Sequence, residues 1–424
     1  MFSSLFSAAP VDPHAPNFFS ATTNVPENEL FGPLEPKDTE WLCAGGFVTE
    51  TQTFYTITDD GVSIMCQVIH SATGVWYPTV QFTFKVHDPK TGKTIWKSVN
   101  VSNFTSSPPG LDKRSCKADE FTLTYKPTNN PEYPETYVVN ANLAADLQFS
   151  MEFQRIGTVP GWKLGKGPKA GYSYFGPDLE KPEGYVIHRF WPRFKASGHI
   201  ISEGKADTVQ GVGMFIHAIQ GMRPNLVASA WNFHHFESEE LGGVSALQME
   251  FTTCDTHGKK GSGSGRVSVN IGSLVIGNKL AVITAETAWP GEARPADPSV
   301  ISRTTHLDTQ FDQETGYKKP SRQIVEWKGP SILADAPGTV TGKVEVDVGD
   351  VENPKGLIEK IDVLAEIPYV LKVAVNYVAG TKPYIYQWIN PAKLHISGPD
   401  AIAPGLSSGI DVNGTLYSES TFIS

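Results

Sequence analysis

The chain has 424 residues, 40% hydrophobic and 19% charged, with a formal net charge of −10 at pH 7. This is globular composition, with apolar material for two or three domains. The acidic balance and the lack of a long basic run exclude nucleic-acid backbone binding as the main activity, and anchoring through anionic lipids with it.

The opening decapeptide, MFSSLFSAAP, carries no charged side chain. Three readings compete for it: a secretory signal, a disordered start, or a short helix for a membrane surface. A basic n-region is lacking, and Pro10, Pro13 and Pro16 interrupt any apolar core, which argues against the signal. Phe2, Leu5, Phe6 and Ala9 fall at i, i+3, i+4 and i+7, one face of a helix that Pro10 must end. So short a helix is marginal in water. At a membrane interface Phe2, Leu5 and Phe6 would each contribute about 1.5–3 kcal/mol if fully buried. Ordering the backbone offsets part of that, at about 1–2 kcal/mol per residue. The expected attachment is weak and reversible. Ser3, Ser4 and Ser7 form the polar side, so binding would respond to lipid packing more than to surface charge. The alternative is a frayed terminus whose phenylalanines pack on the protein itself.

Residues 11–40 hold Pro13, Pro16, Pro26, Pro33 and Pro36 among polar residues, the composition of an extended tether. Beyond it the pattern is strand after strand. Val80–Val86, Phe121–Tyr125 and Leu147–Phe153 alternate apolar and polar residues, as do Leu247–Phe251, Val267–Ile271 and Val344–Val348. Period two with one apolar face predicts half-buried antiparallel strands. Turn signals such as Asp59-Asp60-Gly61 and Gly277-Asn278 separate them. No comparably long amphipathic helix intervenes. The expected class is all-β, two tandem barrels or sandwiches joined near Gln220–Pro224, with Gly242-Gly243 as the less favoured break. The resulting plan is a targeting helix and tether over 1–40, one domain over 41–222 and a second over 223–424.

Motifs for covalent chemistry are missing. Gly261-Ser262-Gly263-Ser264-Gly265 fails the nucleophile-elbow register because its centre is glycine, and reads as a hairpin loop. Lys163, Gly165-Lys166-Gly167 and Lys169 lack the phosphate-loop pattern and read as a solvated loop, with lipid-headgroup contact as the minority reading. His188–Phe194 mixes basic and aromatic residues, read as cation–π packing inside or at the rim of a barrel rather than a nucleic-acid platform. His234 and His235 are strand neighbours that point to opposite faces, so they cannot share a metal ion. One is expected in the core and the other in solvent. Cys43, Cys66, Cys116 and Cys254 form no C-x-x-C pair and read as free thiols of a reduced compartment. No stretch approaches the ~20 apolar residues of a spanning helix. No catalytic residue, metal or cofactor is expected.

Several strings resemble one fungal family: Trp41–Thr51 (WLCAGGFVTET), Gln67–Ser71 (QVIHS), Tyr172–Pro177 (YSYFGP), Gly213–Met222 (GMFIHAIQGM), Trp231-Asn232-Phe233 and Thr421–Ser424 (TFIS). Together they resemble the survival factor 1 family over nearly the whole chain. The resemblance implies two tandem lipocalin-like barrels, distantly similar to bacterial carotenoid hydratases. It implies a ceramide-binding protein that carries ceramide without vesicles from the endoplasmic reticulum to the cis-Golgi. Such transfer supports complex sphingolipid synthesis and survival under oxidative and cold stress. The implied location is cytoplasm and nucleus, peripheral on those two membranes. The resemblance makes Phe2, Leu5 and Phe6 the membrane contacts, and makes Met1 a substrate of an N-terminal acetyltransferase. His234-His235 departs from what the family leads one to expect, and makes Trp231, Phe233 and His234 candidate lipid contacts. Two other classes stay open: a lipocalin-fold hydratase or cyclase acting on an apolar substrate, and a ligandless stress-response scaffold.

Phe2→Asp and Phe6→Asp are each expected to move the protein from floated membranes into the soluble fraction with an unchanged melting temperature. Persistent flotation of both variants would place targeting elsewhere.

Overall fold

The computed structural model describes residues 15–23, 25–74, 77–258, 265–295, 297–366 and 382–423. The alternating segments are antiparallel strands: Thr79–His87, Phe121–Pro127 and Leu147–Arg155 in the first half, and Val244–Thr252, Ser268–Ile276 and Thr339–Asp347 in the second. They belong to two sheets. The first runs in the order Thr94–Asn100, Thr79–His87, Ser63–Gly74, Gly46–Thr58, Lys205–Gln220, Gly184–Ser202, Leu147–Arg155, Glu135–Ala144, Phe121–Pro127. The second runs Lys279–Ala288, Ser268–Ile276, Val244–Thr252, Ala230–Ser238, Ile410–Phe422, Tyr384–Ser397, Thr339–Asp347, Arg322–Pro330, Ile301–Leu307. Between Gln220 and Ala230 the chain leaves one sheet and enters the other through a single helical turn, Pro224–Val227. Gly242 and Gly243 lie in the short connection from Ala230–Ser238 to Val244–Thr252, inside the second sheet.

Both sheets are rolled, and ring contacts prove it. Phe84 and Phe149 stack with centroids 4.3 Å apart, although their strands stand five places apart in the sheet order. Five spacings would separate them by roughly 24 Å in a flat sheet. Trp327 Nε1 likewise donates to the Leu247 carbonyl at 2.9 Å across five places of the second sheet. The fold is therefore all-β with two lipocalin-like rolled sheets. The interior of the first is crowded with rings, including Phe54, Phe82, Phe84, Phe149, Phe153 and Phe215, all buried. The second is closed by Trp327, Trp388, Tyr386 and aliphatic residues.

The outer faces of the two sheets pack on each other. Trp162, Phe190, Met214 and Ile216 of the first share a buried cluster with Phe233, Leu247, Ile271 and Tyr417 of the second. A buried ion pair crosses this layer. A β-bulge falls between Trp191 and Phe194, where Pro192 has no N–H to lose from the ladder. It aims Arg193 at Glu237, both side chains 1% exposed. Ser245 and His235 also bond the Glu237 carboxylate, each at 2.7 Å, so its charge is fully partnered.

Residues 17–38 are a strap rather than a free tether. Phe18–Phe19 pairs with the Tyr174–Phe175 end of a strand, and Phe31–Pro33 pairs with Trp162–Leu164. Phe18 is buried against Phe175, Phe251 and Trp289, so it touches both sheets. Asp38 binds the buried Lys163 ammonium at 2.8 Å, and its carbonyl accepts His217 Nδ1–H at 2.8 Å. Lys163 thus leaves the solvated loop expected of it, because Asp38 supplies a buried partner. The 1–14 segment with Met1, Phe2, Leu5 and Phe6, and the loop 259–264, lie outside the described residues.

Arg193→Met is expected to lower the unfolding free energy by about 3–5 kcal/mol, because it strands Glu237 without its cation. Urea denaturation at pH 7 measures this, with Lys205→Met at an exposed site as a control within about 0.5 kcal/mol. A loss below 1 kcal/mol for Arg193→Met would show that the pair does not hold the sheets together.

Candidate functional site

With barrel interiors filled, apolar space has to be sought at their edges. One cavity of about 590 Å³ opens at an end of the first barrel, where Ile64, Val86, Ile200 and Val209 sit below Asp59, Asp60, Asp88, Lys93 and Asp207. A hydrocarbon chain entering there would cross a charged rim. A second, about 370 Å³, is the cleft between the sheets. Its volume lies within the range of small-molecule sites.

The cleft is built from alternation. On Gly46–Thr58, Phe54 points into the barrel, so Thr49, Thr51, Thr53 and Tyr55 point outward and line the cleft. On Lys205–Gln220 the same rule sends Phe215 inward and Ile216, Ala218 and Gln220 to the cleft. The second sheet supplies the opposite wall through Trp231, Phe233, Met249, Glu419 and Thr421. Tyr55 joins the walls, with its ring 4.9 Å from Phe233 and 5.4 Å from Tyr417. Hydroxyls and amides from Thr49, Thr51, Thr53, Gln67, Ser71, Gln81 and Gln220 alternate with the apolar side chains of the lining.

Three titratable groups line it, and all are displaced toward their uncharged forms. Burial pushes the Tyr55 hydroxyl well above its usual range, with the Glu419 charge adding to the effect. Burial takes His188, whose ring meets Trp231 edge-on at 5.8 Å, down to about 3. Burial also raises Glu419, against the hydrogen bonds of Tyr417 and Gln387 and the charge of Lys85. The cleft thus disfavours charge on the titratable groups that line it.

Of the three candidate lipid contacts, the structure places Trp231 and Phe233 in the cleft and His234 out of it. His234 faces the interior of the second barrel, fully buried, with Nδ1 3.1 Å from the Ser418 hydroxyl. His235 is equally buried, on the Glu237 side, so neither histidine meets solvent. The expectation of one solvent-facing ring fails because Ala230–Ser238 lies between the barrel core and the other sheet. Sequence reasoning missed Tyr55, Ile216 and Glu419. The run GMFIHAIQGM, apolar on both strand faces, is the signal that could have found the covered outer face.

Among the described residues no group of three histidine, cysteine or acidic side chains could hold a metal. Nor is any helix there long and apolar enough to cross a membrane. Burial raises each of the four thiols, Cys43 to about 11, so thiolate chemistry is disfavoured.

The family model described as the Svf1 family matches residues 3–424. The chain belongs to the Svf1 family. Among curated relatives, the Schizosaccharomyces pombe "Ceramide-binding protein svf1" is 31% identical over 407 residues, 95% of this chain and 93% of its own. The Debaryomyces hansenii "Ceramide-binding protein SVF1" is 32% identical over 400 residues, 93% of this chain and 88% of its own. The solved structure of CghA with Sch210972 superposes with a TM-score of 0.59 at 11% identity, covering 89% of both chains. An AttH structure (NE1406) from Nitrosomonas europaea gives 0.51 at 13%, covering 92% of this chain and 97% of its own. At these identities the Svf1 chain shares with both a fold.

His188 and His234 also set a pH dependence for this Svf1 protein. Burial depresses both to about 3 when folded, and for His234 the neighbouring His306 adds to it. Unfolded, each takes up a proton near pH 6.5. Stability is therefore complete above about pH 6.5 and falls on acidification toward the folded values. Denaturation at a series of pH values should show a loss of about 2 kcal/mol per histidine from pH 6.5 to 5, flattened in His188→Gln and His234→Gln. An unchanged slope in both variants would contradict the assignment.

Proposed function

We propose that this protein binds ceramide in the cleft between its two sheets and carries it between membranes. The observation that carries the reading is the cleft's chemistry. Apolar walls from both sheets enclose Tyr55, His188 and Glu419, each biased toward its neutral form. A phosphate headgroup would find no free cation among those lining groups. An uncharged amide lipid fits, and the two relatives described above bear the name ceramide-binding protein. Burying about ten methylenes would provide about 8 kcal/mol before the costs of association, the scale of micromolar affinity. Transfer from endoplasmic reticulum to cis-Golgi, with the sphingolipid and stress roles, follows as the physiological use of such binding. Membrane contact belongs to Phe2, Leu5 and Phe6 on an acetylated Met1, and it confines the protein to reversible peripheral attachment. The high thiol values make a direct redox role unnecessary to a stress phenotype.

A half-buried small residue offers a clean test. Ala218 lines the cleft, and Ala218→Trp would fill it without removing any charge. Organic extraction of the purified wild-type protein should release ceramide near one per chain, and Ala218→Trp should retain at most a tenth of that. Its melting temperature should stay within a few degrees. Equal ceramide in a folded Ala218→Trp protein would remove the cleft as the site, and a turned-over product in the extract would favour an enzyme.

A further inference from the structure

Glu419 is the one carboxylic acid lining the cleft among the described residues, and its two oxygens are treated differently. Oε1 accepts from Gln387 Nε2 at 2.6 Å and from the Tyr417 hydroxyl at 2.5 Å. No hydrogen bond to Oε2 forms among the described residues.

The orientation is enforced from behind. Lys85 is 4% exposed. It donates from Nζ to Gln387 Oε1 at 2.6 Å and to Glu359 at 2.7 Å. Because an ammonium only donates, Gln387 must present its carbonyl to Lys85 and its NH₂ to Glu419. Gln387 and Phe233 are the direct cross-strand neighbours of Glu419 on either side, so the carboxyl is held between a polar strut and an aromatic wall. The charged or titratable groups around it are Lys85, Glu359, Tyr55 and Tyr417. One cation, already shared with Glu359, leaves no surplus positive charge for an anionic ligand.

We propose that Glu419 determines the cleft's specificity, its Oε2 hydrogen-bonding the amide or hydroxyl of an uncharged long-chain lipid. The inference rests on the cleft being the lipid site. As a protonated acid Oε2 donates to an amide carbonyl, and as a carboxylate it accepts from a hydroxyl or amide N–H. A phosphorylated lipid finds no free cation there, among the described residues, to offset its charge.

The test uses purified full-length protein and two chain-matched fluorescent lipids, ceramide and an analogue in which hydrocarbon replaces the amide and the hydroxyls. Wild type should prefer ceramide by about tenfold or more, since the analogue leaves a buried polar group unpaired. Glu419→Leu should bring the ratio to within about twofold by weakening ceramide alone, and Glu419→Gln should keep most of the preference. A Glu419→Leu protein that retains the tenfold ratio overturns the proposal. Difference infrared spectroscopy of the wild type gives an arm independent of folding in that variant. A carboxyl band should shift on adding ceramide, not on adding the analogue, and be missing from Glu419→Gln. Absence of any ceramide-dependent carboxyl band also overturns it. If Ala218→Trp binds both lipids like wild type, the underlying cleft reading falls instead.

Discussion

Aromatic crowding inside the first barrel is the constraint on which the rest depends. Phe54 stacks on Phe153 at 4.4 Å and Phe84 on Phe149 at 4.3 Å, and Phe215 and Tyr137 close the remaining gaps. Through this packed middle a hydrocarbon chain passes only by displacing rings, each worth several kcal/mol of burial, and the cavity at the barrel's end lies behind a charged rim. Apolar binding is pushed to the outer faces. Those faces are dry because a second rolled sheet covers them, and the buried Arg193–Glu237 pair crosses between the two. The same layer that joins the sheets therefore supplies the cleft.

Function follows from what the layer leaves uncharged. Burial moves Tyr55 and Glu419 up and His188 down, so a slot walled by Phe233, Ile216 and Trp231 offers hydrogen bonds while disfavouring charge. The Lys85–Gln387–Glu419 relay adds direction to one of those bonds. The strap from Asn17 to Asp38 belongs to the same design. Phe18 seals against residues of both sheets, and Asp38 ties the strap to Lys163 and His217.

Much of this architecture was legible from period-two alternation, which located Thr79–His87, Leu147–Arg155 and Ser268–Ile276 and their inward faces. Alternation cannot report whether the outward face meets water. That is why Tyr55 and Glu419 escaped notice and why His234 and His235 were expected to differ in exposure. Both lie on strands sandwiched between a barrel core and a neighbouring sheet. The prolines of 11–40 were read as an extended tether, but extended backbone also pairs as short edge strands, as Phe31–Pro33 does. Trp231 and Phe233 were found through family resemblance rather than local pattern. Lys163 was read as a solvated-loop lysine and Arg193 as a cation–π partner, because the ion pair of a buried cation depends on a residue distant in sequence, Asp38 or Glu237.

The central claim is that lipid lies between the sheets and not within a barrel. Photo-crosslinking with a ceramide carrying a diazirine on its acyl chain, followed by peptide mass spectrometry, addresses it directly. The account predicts adducts on Tyr55, Ile216 or Phe233. Adducts concentrated on Phe84, Phe149 or other rings of the first barrel's interior would contradict it.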